Sequence, residues 1–437
     1  DLLHLALLHE ACLKHKDSVI PYTYGLNGKA KPSTIIHRDD PDLIDKIRQC
    51  PDVDIFLPLG IRGHGYCEDS VGYAKYLESR LLPMWAIETK YVDKNTGETY
   101  SYHDLCPRTP MIFMNHYWDG ITEKPEWPRD KMKFLMPNIE MSELNAKHYW
   151  NVDAVLCKTA ICARRVRAWY EQEGNPKKAM VFYTRHTTSD IATLARNRLE
   201  KGTVKPQDFS KVKFIHAVGT SRQKGTKHVL ECWLDSKRRD MPQLDVYIDK
   251  SIFAVELKEL FEENINQPGS PVKLHFDRVE TNEFGKLTAE NSFFICTSFQ
   301  EGYGHYINQA RAAGALIVTT DLPPMNELIS ADSGVLVPAT RQHTADQLLG
   351  GQYEGEHGLR DVQGLTASIH SNSICDAVDR IVSMTPKQRQ DFGERAKLQY
   401  YIDTNFFAAK MRNVRAYARN HRAWLAPHIR SEPKDAP

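Results

Sequence analysis

The chain has 437 residues, 41% hydrophobic and 26% charged, which is material for two cores and excludes a disordered or fibrous protein. A formal net charge of +1 supplies no global field for nucleic acid or anionic lipid, so any anion site has to be local and no nucleic-acid partner is expected. The nine cysteines are scattered with no C-x-x-C pair, which predicts reduced, mostly buried thiols in a cytoplasmic protein, with neither a disulfide framework nor a zinc site.

In chain order, the opening LLHLALL is too short to span a bilayer, and neither a transmembrane segment nor a signal peptide is expected. VDIFLPLG (53–60) predicts a buried strand leading into IRGHGYCED and a helix from about Ser70 to Leu82. PMIFMNH (110–116) and VDAVLCKT (152–159) predict two more strands, the second followed by a helical AICARRVRAWYEQEG. Residues 176–210 are polar, with NPKK and KGTVKPQD, and are expected to connect two domains.

A second series follows: KVKFIHAVG (211–219), LDVYID (244–249), VKLHF (272–276), SFFICTS (292–298), ALIVTT (315–320) and GVLVP (334–338). Continuous apolar strands separated by helices imply parallel sheets covered on both faces, hence two doubly wound, Rossmann-like α/β domains, 1–195 and 196–385. Residues 340–372, rich in Gly, Gln, His and Ser, predict a surface excursion. Residues 386–425 predict long helices, and 426–437 a disordered tail. No fixed-period repeat is present.

Ligands of open parallel sheets lie beyond the carboxyl ends of the strands, where FQEGYG sits ahead of a helix starting near His305. Gly302 and Gly304 allow close backbone approach, and the first N–H groups of the helix suit a phosphate. Glu301 is placed to accept from hydroxyl groups, and Gln309, about two turns further on, points back to the same crevice. HAVGTSRQKGTKHVL follows the first strand of that domain and opens a helix near Thr226. Gly219 leaves room for a phosphate, and Arg222 and Lys224 supply positive charge for a departing diphosphate. A phosphate site beside carboxylate and amide groups matches a nucleotide-sugar.

GTSRQKG and EGYGHYINQARAAG resemble the donor-domain motifs of retaining nucleotide-sugar glycosyltransferases of the GT-B fold, the group 1 or family-four type, with DLPPMNELI and GVLVP following in that family's order. The resemblance implies two Rossmann-like domains with a cleft between them and C-terminal helices crossing back over the first. It implies Gly219, Arg222 and Lys224 on the diphosphate, Glu301 on the transferred sugar, the backbone of Gly302, Tyr303, Gly304 and His305 facing sugar and phosphate, and position 309 on the ribose hydroxyls. It implies metal-independent transfer of a hexose with retention, UDP-sugars favoured and GDP-sugars possible, no cofactor beyond the nucleotide-sugar, and an acceptor that is a glycan, lipid, protein or small molecule. Two positions depart from the pattern: Gln309 stands for the family's second glutamate, and Arg222 lies later than the usual arginine.

The first half resembles the superfamily more loosely. Gly63 and Gly65 form a candidate glycine-rich loop facing the donor, and His116 ends a strand where the family presents a histidine to the sugar. Each has a plainer reading, a tight turn and a hydrogen-bonded core histidine. Asp119, Asn138 and Glu140 read as structural, Lys158 and Thr159 lie at a strand end, and the Asp52-Val53-Asp54 run precedes its strand, the wrong end for a metal. The alternative function is a sugar-nucleotide-binding protein with little or no transfer, for which Gln309 is the sign. An epimerase on the same fold needs acid and base residues that the sequence does not place.

Overall fold

The computed structural model describes residues 2–115, 118–342 and 349–425. It divides into two compact units, one of Asp1–Ser189, Leu349–Leu359 and Thr404–Pro437, the other of Asp190–Leu348 and Arg360–Asp403. The long terminal stretch is one helix, Pro386–Leu425, shared by both.

The first unit carries helix α1 (Leu2–Lys14), strand β1 (Ile20–Pro21), β2 (Asp54–Phe56), α2 (His64–Tyr76), β3 (Arg80–Leu82), β4 (Met111–Met114), β5 (Lys133–Met136), β6 (Ala154–Cys157), α3 (Ala160–Glu173) and β7 (Met180–Tyr183). The sheet order is β1-β3-β2-β4-β5-β6-β7, parallel except for the β1–β3 edge pair. Strands β4 and β6 are buried at every position, which is what a helix-covered parallel sheet requires. Thr159 starts α3 by accepting from Cys162 N at 3.1 Å, an ordinary N-cap.

The second unit starts with helix α4 (Ile191–Arg198), capped by Asp190, and its main sheet has six strands among the described residues: β8 (Lys213–Gly219), β9 (Gln243–Ile248), β10 (Val272–His275), β11 (Phe293–Cys296), β12 (Leu316–Thr320) and β13 (Val335–Val337). Their order is β10-β9-β8-β11-β12-β13, all parallel, a Rossmann arrangement whose strand order reverses between β8 and β11. Alternation along the strands feeds two cores. Phe214, Phe293, Ile295 and Val318 pack with Ile374, Val378 and Ile381 of the helix Ser371–Ser383. Ile215, Phe294, Cys296 and Ile317 pack on the other side with Ile307, Ala310 and Ala396.

Three expectations are corrected. The stretch 176–210 is not merely a connection: β7 completes the first sheet, and Thr184, His186, Thr187, Thr188, Ser189 and Asp190 are all buried. Their polarity hid this, and hydrogen bonds satisfy buried groups such as Thr184 Oγ1, which donates to Cys157 O at 3.1 Å, and Ser189 N, which donates to Glu68 Oε2 at 3.0 Å. The stretch 340–372, of which 343–348 lie outside the described residues, is not wholly a surface excursion, because Leu349–Leu359 belongs to the first unit. Trp169 Nε1 donates to His357 O at 2.7 Å, Ala146 N donates to Gly350 O at 2.8 Å, and Leu349 and Leu359 are buried. The helix expected at Ser70–Leu82 begins at His64 and ends at Tyr76, leaving Arg80–Leu82 as a strand.

The cysteines are corrected as well. Disulfides join Cys12 to Cys67, Cys50 to Cys106, Cys157 to Cys162 and Cys232 to Cys375, and Cys296 is a free, buried thiol. Three of the pairs close loops of 55, 56 and 143 residues, so linear spacing gave no sign of them. Disulfides persist in oxidising compartments, which removes the basis for the cytoplasmic placement. No helix among the described residues is long and apolar enough to cross a membrane.

Candidate functional site

The strand order reverses between β8 and β11, and the carboxyl ends of strands at such a reversal are the place where open α/β sheets bind ligands. The loop after β8 delivers Lys224, and the loop after β11 delivers Glu301. The two side chains form an ion pair there, only 14% and 13% exposed. Ser298 Oγ donates to Glu301 Oε1 at 2.6 Å, and the Tyr306 hydroxyl is hydrogen-bonded to the same serine. Lys224 Nζ stands 3.9 Å above the Tyr306 ring, a cation–π contact. Burial pushes the Tyr306 phenol well up, so it stays protonated as a donor.

The backbone is tightly drawn around this cluster. Phe299 N donates to Gln223 O at 3.0 Å, joining the two loops directly. Gly225 has φ +71°, and a Cβ there would come 2.2 Å from Thr297 O, so only glycine fits. Gly219, at φ +59°, needs glycine for its conformation alone, since nothing crowds it. Its carbonyl accepts from Asp249 N at 2.9 Å. Two helices start at this edge, Thr226–Trp233 after Gly225 and His305–Ala312 after Gly304, and their first N–H groups supply partial positive charge. Beneath them His216 donates through Nδ1 to Ile295 O and accepts at Nε2 from Thr226 Oγ1, both at 2.9 Å. Burial lowers its pKa to about 4, so this arrangement holds the neutral ring.

On the neighbouring strands, Tyr247, Lys250, His275, Phe276 and Asp277 line a cavity of about 550 Å³ at the carboxyl ends of β9 and β10. Tyr247 and His275 stack there at 4.4 Å with their planes 9° apart, and His275 Nε2 lies 3.0 Å from Asp245 Oδ1.

No family model and no curated protein matches the chain. Among solved structures, a trehalose-6-phosphate synthase superposes with a TM-score of 0.54 at 8% identity, over 83% of this chain and 98% of the other. The α,α-trehalose 6-phosphate synthase of Burkholderia multivorans superposes with a TM-score of 0.50 at 12% identity, over 82% of this chain and 77% of the other. The fold is GT-B.

Within the GT-B frame the expected residues separate. Lys224, Glu301, Gly302 and Gly304 lie on the two loops just described, and Gly219 is the last residue of β8. Arg222 does not join Lys224: its side chain is 66% exposed and pairs with Glu256 Oε1 at 3.0 Å. Tyr303 and Gln309 are buried, and the Tyr303 hydroxyl accepts from Asn308 Nδ2 at 2.8 Å. The Tyr303 and His305 rings meet edge to face at 5.0 Å. Gly63 caps α2 with extended backbone, Gly65 lies in its first turn, and both are exposed. They follow β2, at the first unit's own reversal point between β2 and β4. His116 lies outside the described residues. Lys158 is buried between Asp69 Oδ1 at 2.9 Å and Asn138 Oδ1 at 2.7 Å.

Ser298 and Tyr306 were missed from sequence. The only available signal was position: Ser298 follows the end of β11, and Tyr306 opens the next helix on the turn beside Glu301.

Proposed function

We propose that the chain is a retaining glycosyltransferase moving a hexose from a nucleoside-diphosphate sugar, with a UDP-sugar favoured, to an acceptor hydroxyl. The observation that supports this most is the meeting of Lys224 and Glu301 at the strand-order reversal, each on the loop where a nucleotide-sugar enzyme needs a cation and a hydroxyl acceptor.

Lys224 and the start of the helix His305–Ala312 stabilise the charge that grows on the leaving diphosphate. The bond from the anomeric carbon to the phosphate oxygen breaks with its electron pair going to the diphosphate. The acceptor oxygen bonds to that carbon on the same face, and its proton passes to the departing phosphate. Glu301 holds a sugar hydroxyl, oriented by Ser298. The cationic work is done by the lysine and the helix end, so the reading requires no metal in this step. The cavity beside Tyr247 and His275 suits a nucleobase, with an aromatic face and Asp277 at its rim. The disulfides support an oxidising compartment as the place where such an enzyme works.

The test is incubation of the oxidised protein with radiolabelled UDP- and GDP-sugars, with and without an acceptor mixture. Transfer, or slow release of free sugar, supports the enzyme. Tight nucleotide-sugar binding without turnover in any mixture would replace it with the binding-protein reading.

A further inference from the structure

We propose that His9, His64 and Glu68 form a binding site for a zinc-class divalent metal ion in the first unit. One ligand atom from each residue lies within 4.8 Å of the others. His64 and Glu68 are one turn apart on α2 and so share a face, and His9 comes from α1. The Cys12–Cys67 disulfide fixes these two helices against each other, with Cys67 next to Glu68 and Cys12 one turn beyond His9.

The hydrogen bonds assign the ring nitrogens. His9 Nε2 lies 3.3 Å from the backbone oxygen of His64, and a carbonyl only accepts, so Nε2 carries the proton. Nδ1 faces Glu68 Oε1, 3.6 Å away. The two atoms are outside hydrogen-bond reach of each other at this separation. They match two ligands of one ion, because atoms about 2.1 Å from a tetrahedral zinc stand roughly 3.4 Å apart.

The surrounding shell is that of a metal site. The His9 N–H that donates to a carbonyl orients the ring and raises its basicity. Glu68 is held by Ser189, whose backbone N donates to Oε2 at 3.0 Å and whose hydroxyl bonds Oε1. His9 and Glu68 are 1% exposed while His64 is exposed, so the ion has an entry path and a position open to water. Two imidazoles and a carboxylate select zinc or a similar transition metal over magnesium or calcium. Bound metal would tie α1 to the start of α2 and so stiffen the turn that carries Gly60, Gly63 and Gly65. The inference does not depend on the transferase reading.

The experiment titrates zinc chloride into the oxidised full chain, stripped with a chelator and dialysed, by calorimetry and by thermal melting. One saturable equivalent of micromolar or tighter affinity is expected, with a higher Tm and no response to magnesium or calcium chloride. His64→Ala is at an exposed position, so the fold persists and the equivalent is lost. Glu68→Gln weakens it by about tenfold or more. No saturable binding by the full chain, or an equivalent that survives His64→Ala in a folded protein, overturns the proposal. In that case His9 and Glu68 are an ordinary ion pair.

Discussion

Lys224 and Glu301 pair at the carboxyl ends of the two central strands of their sheet although 77 residues separate them in the chain. The lysine is therefore engaged by a carboxylate, with which the diphosphate of the proposed reaction would compete. Lys224→Ala is expected to lower the transfer rate by about 100-fold, the scale of one well-placed donor at about 3 kcal/mol. Its melting temperature should fall by no more than about 3 °C, the scale of 1 kcal/mol in domains of this size. Glu301→Gln keeps the shape and the Ser298 contact but releases the lysine. It should lower transfer while leaving UDP binding unchanged or tighter. Single-turnover rates and calorimetric UDP affinities on the two variants check this, and equal loss of UDP binding in both would remove Glu301 from the sugar side.

Gly225 and Gly219 both have positive φ, yet only Gly225 faces a neighbour, Thr297 O at 2.2 Å from where a Cβ would be. Gly219→Ala should cost roughly 1–2 kcal/mol, the left-handed penalty alone. Gly225→Ala adds a backbone clash, which pushes the Lys224 and Glu301 loops apart. It should cost on the order of 3 kcal/mol or more and abolish transfer. Denaturant melts of the two variants give the ordering. Equal losses would mean the loop after β8 yields more easily than the close approach implies.

Much of this architecture is legible in the sequence, and the parts that are not share a cause. The apolar strands and the loops after β8 and β11 announce themselves because a covered parallel sheet needs unbroken apolar runs and a tight turn with positive φ ahead of a helix needs glycine. Polar residues that become buried leave no such mark. Arg311 reads as a solvated helix residue. It is instead fully buried, donating to Asn308 Oδ1, Leu328 O and Asp403 Oδ2 at 2.9, 2.7 and 2.8 Å. Gly393 looks like a flaw in a long helix, but a Cβ there would meet Gly314 O at 2.0 Å, so it marks a close backbone crossing. Arg222 differs in the opposite sense: the sequence sets it two residues from Lys224, and the fold turns it outward to Glu256.

The disulfides give a direct count. With eight cysteines paired and Cys296 free, one thiol per chain should react with a maleimide in denaturant without reductant, and nine after reduction. Under native conditions Cys296 should react slowly, because it is fully buried and burial pushes its thiol up. Reduction should also lower stability, since a bridge closing a loop of this length contributes about 4–5 kcal/mol in the chain-entropy account. Mass spectrometry after labelling checks the count. Nine reactive thiols before reduction would restore the reduced, intracellular reading.

Lys131 sets the last expectation. It is 2% exposed, with Nζ donating to Cys106 O at 2.8 Å and lying 4.2 Å from the Tyr102 ring centroid. Burial lowers its pKa from 10.5 to about 7, with nearby Asp54 opposing and Arg80 reinforcing the shift. Between about pH 7 and 10.5 the unfolded chain therefore holds a proton that the folded chain lacks. Stability contributed by this group must rise with pH across that window, and the cost of burying the charge is fully present below it. His103, 3.3 Å from Lys131 Nζ and lowered by burial to about 3, has the same sign at lower pH: its contribution is lost as pH falls from about 6.5 toward 3. Lys131→Met keeps the packing and removes the ammonium. It should be at least as stable as the parent at neutral pH, with the difference between the two shrinking as pH rises through the window. Paired thermal melts as a function of pH measure that difference, and one that is independent of pH would mean Lys131 keeps an ordinary lysine pKa in the folded protein.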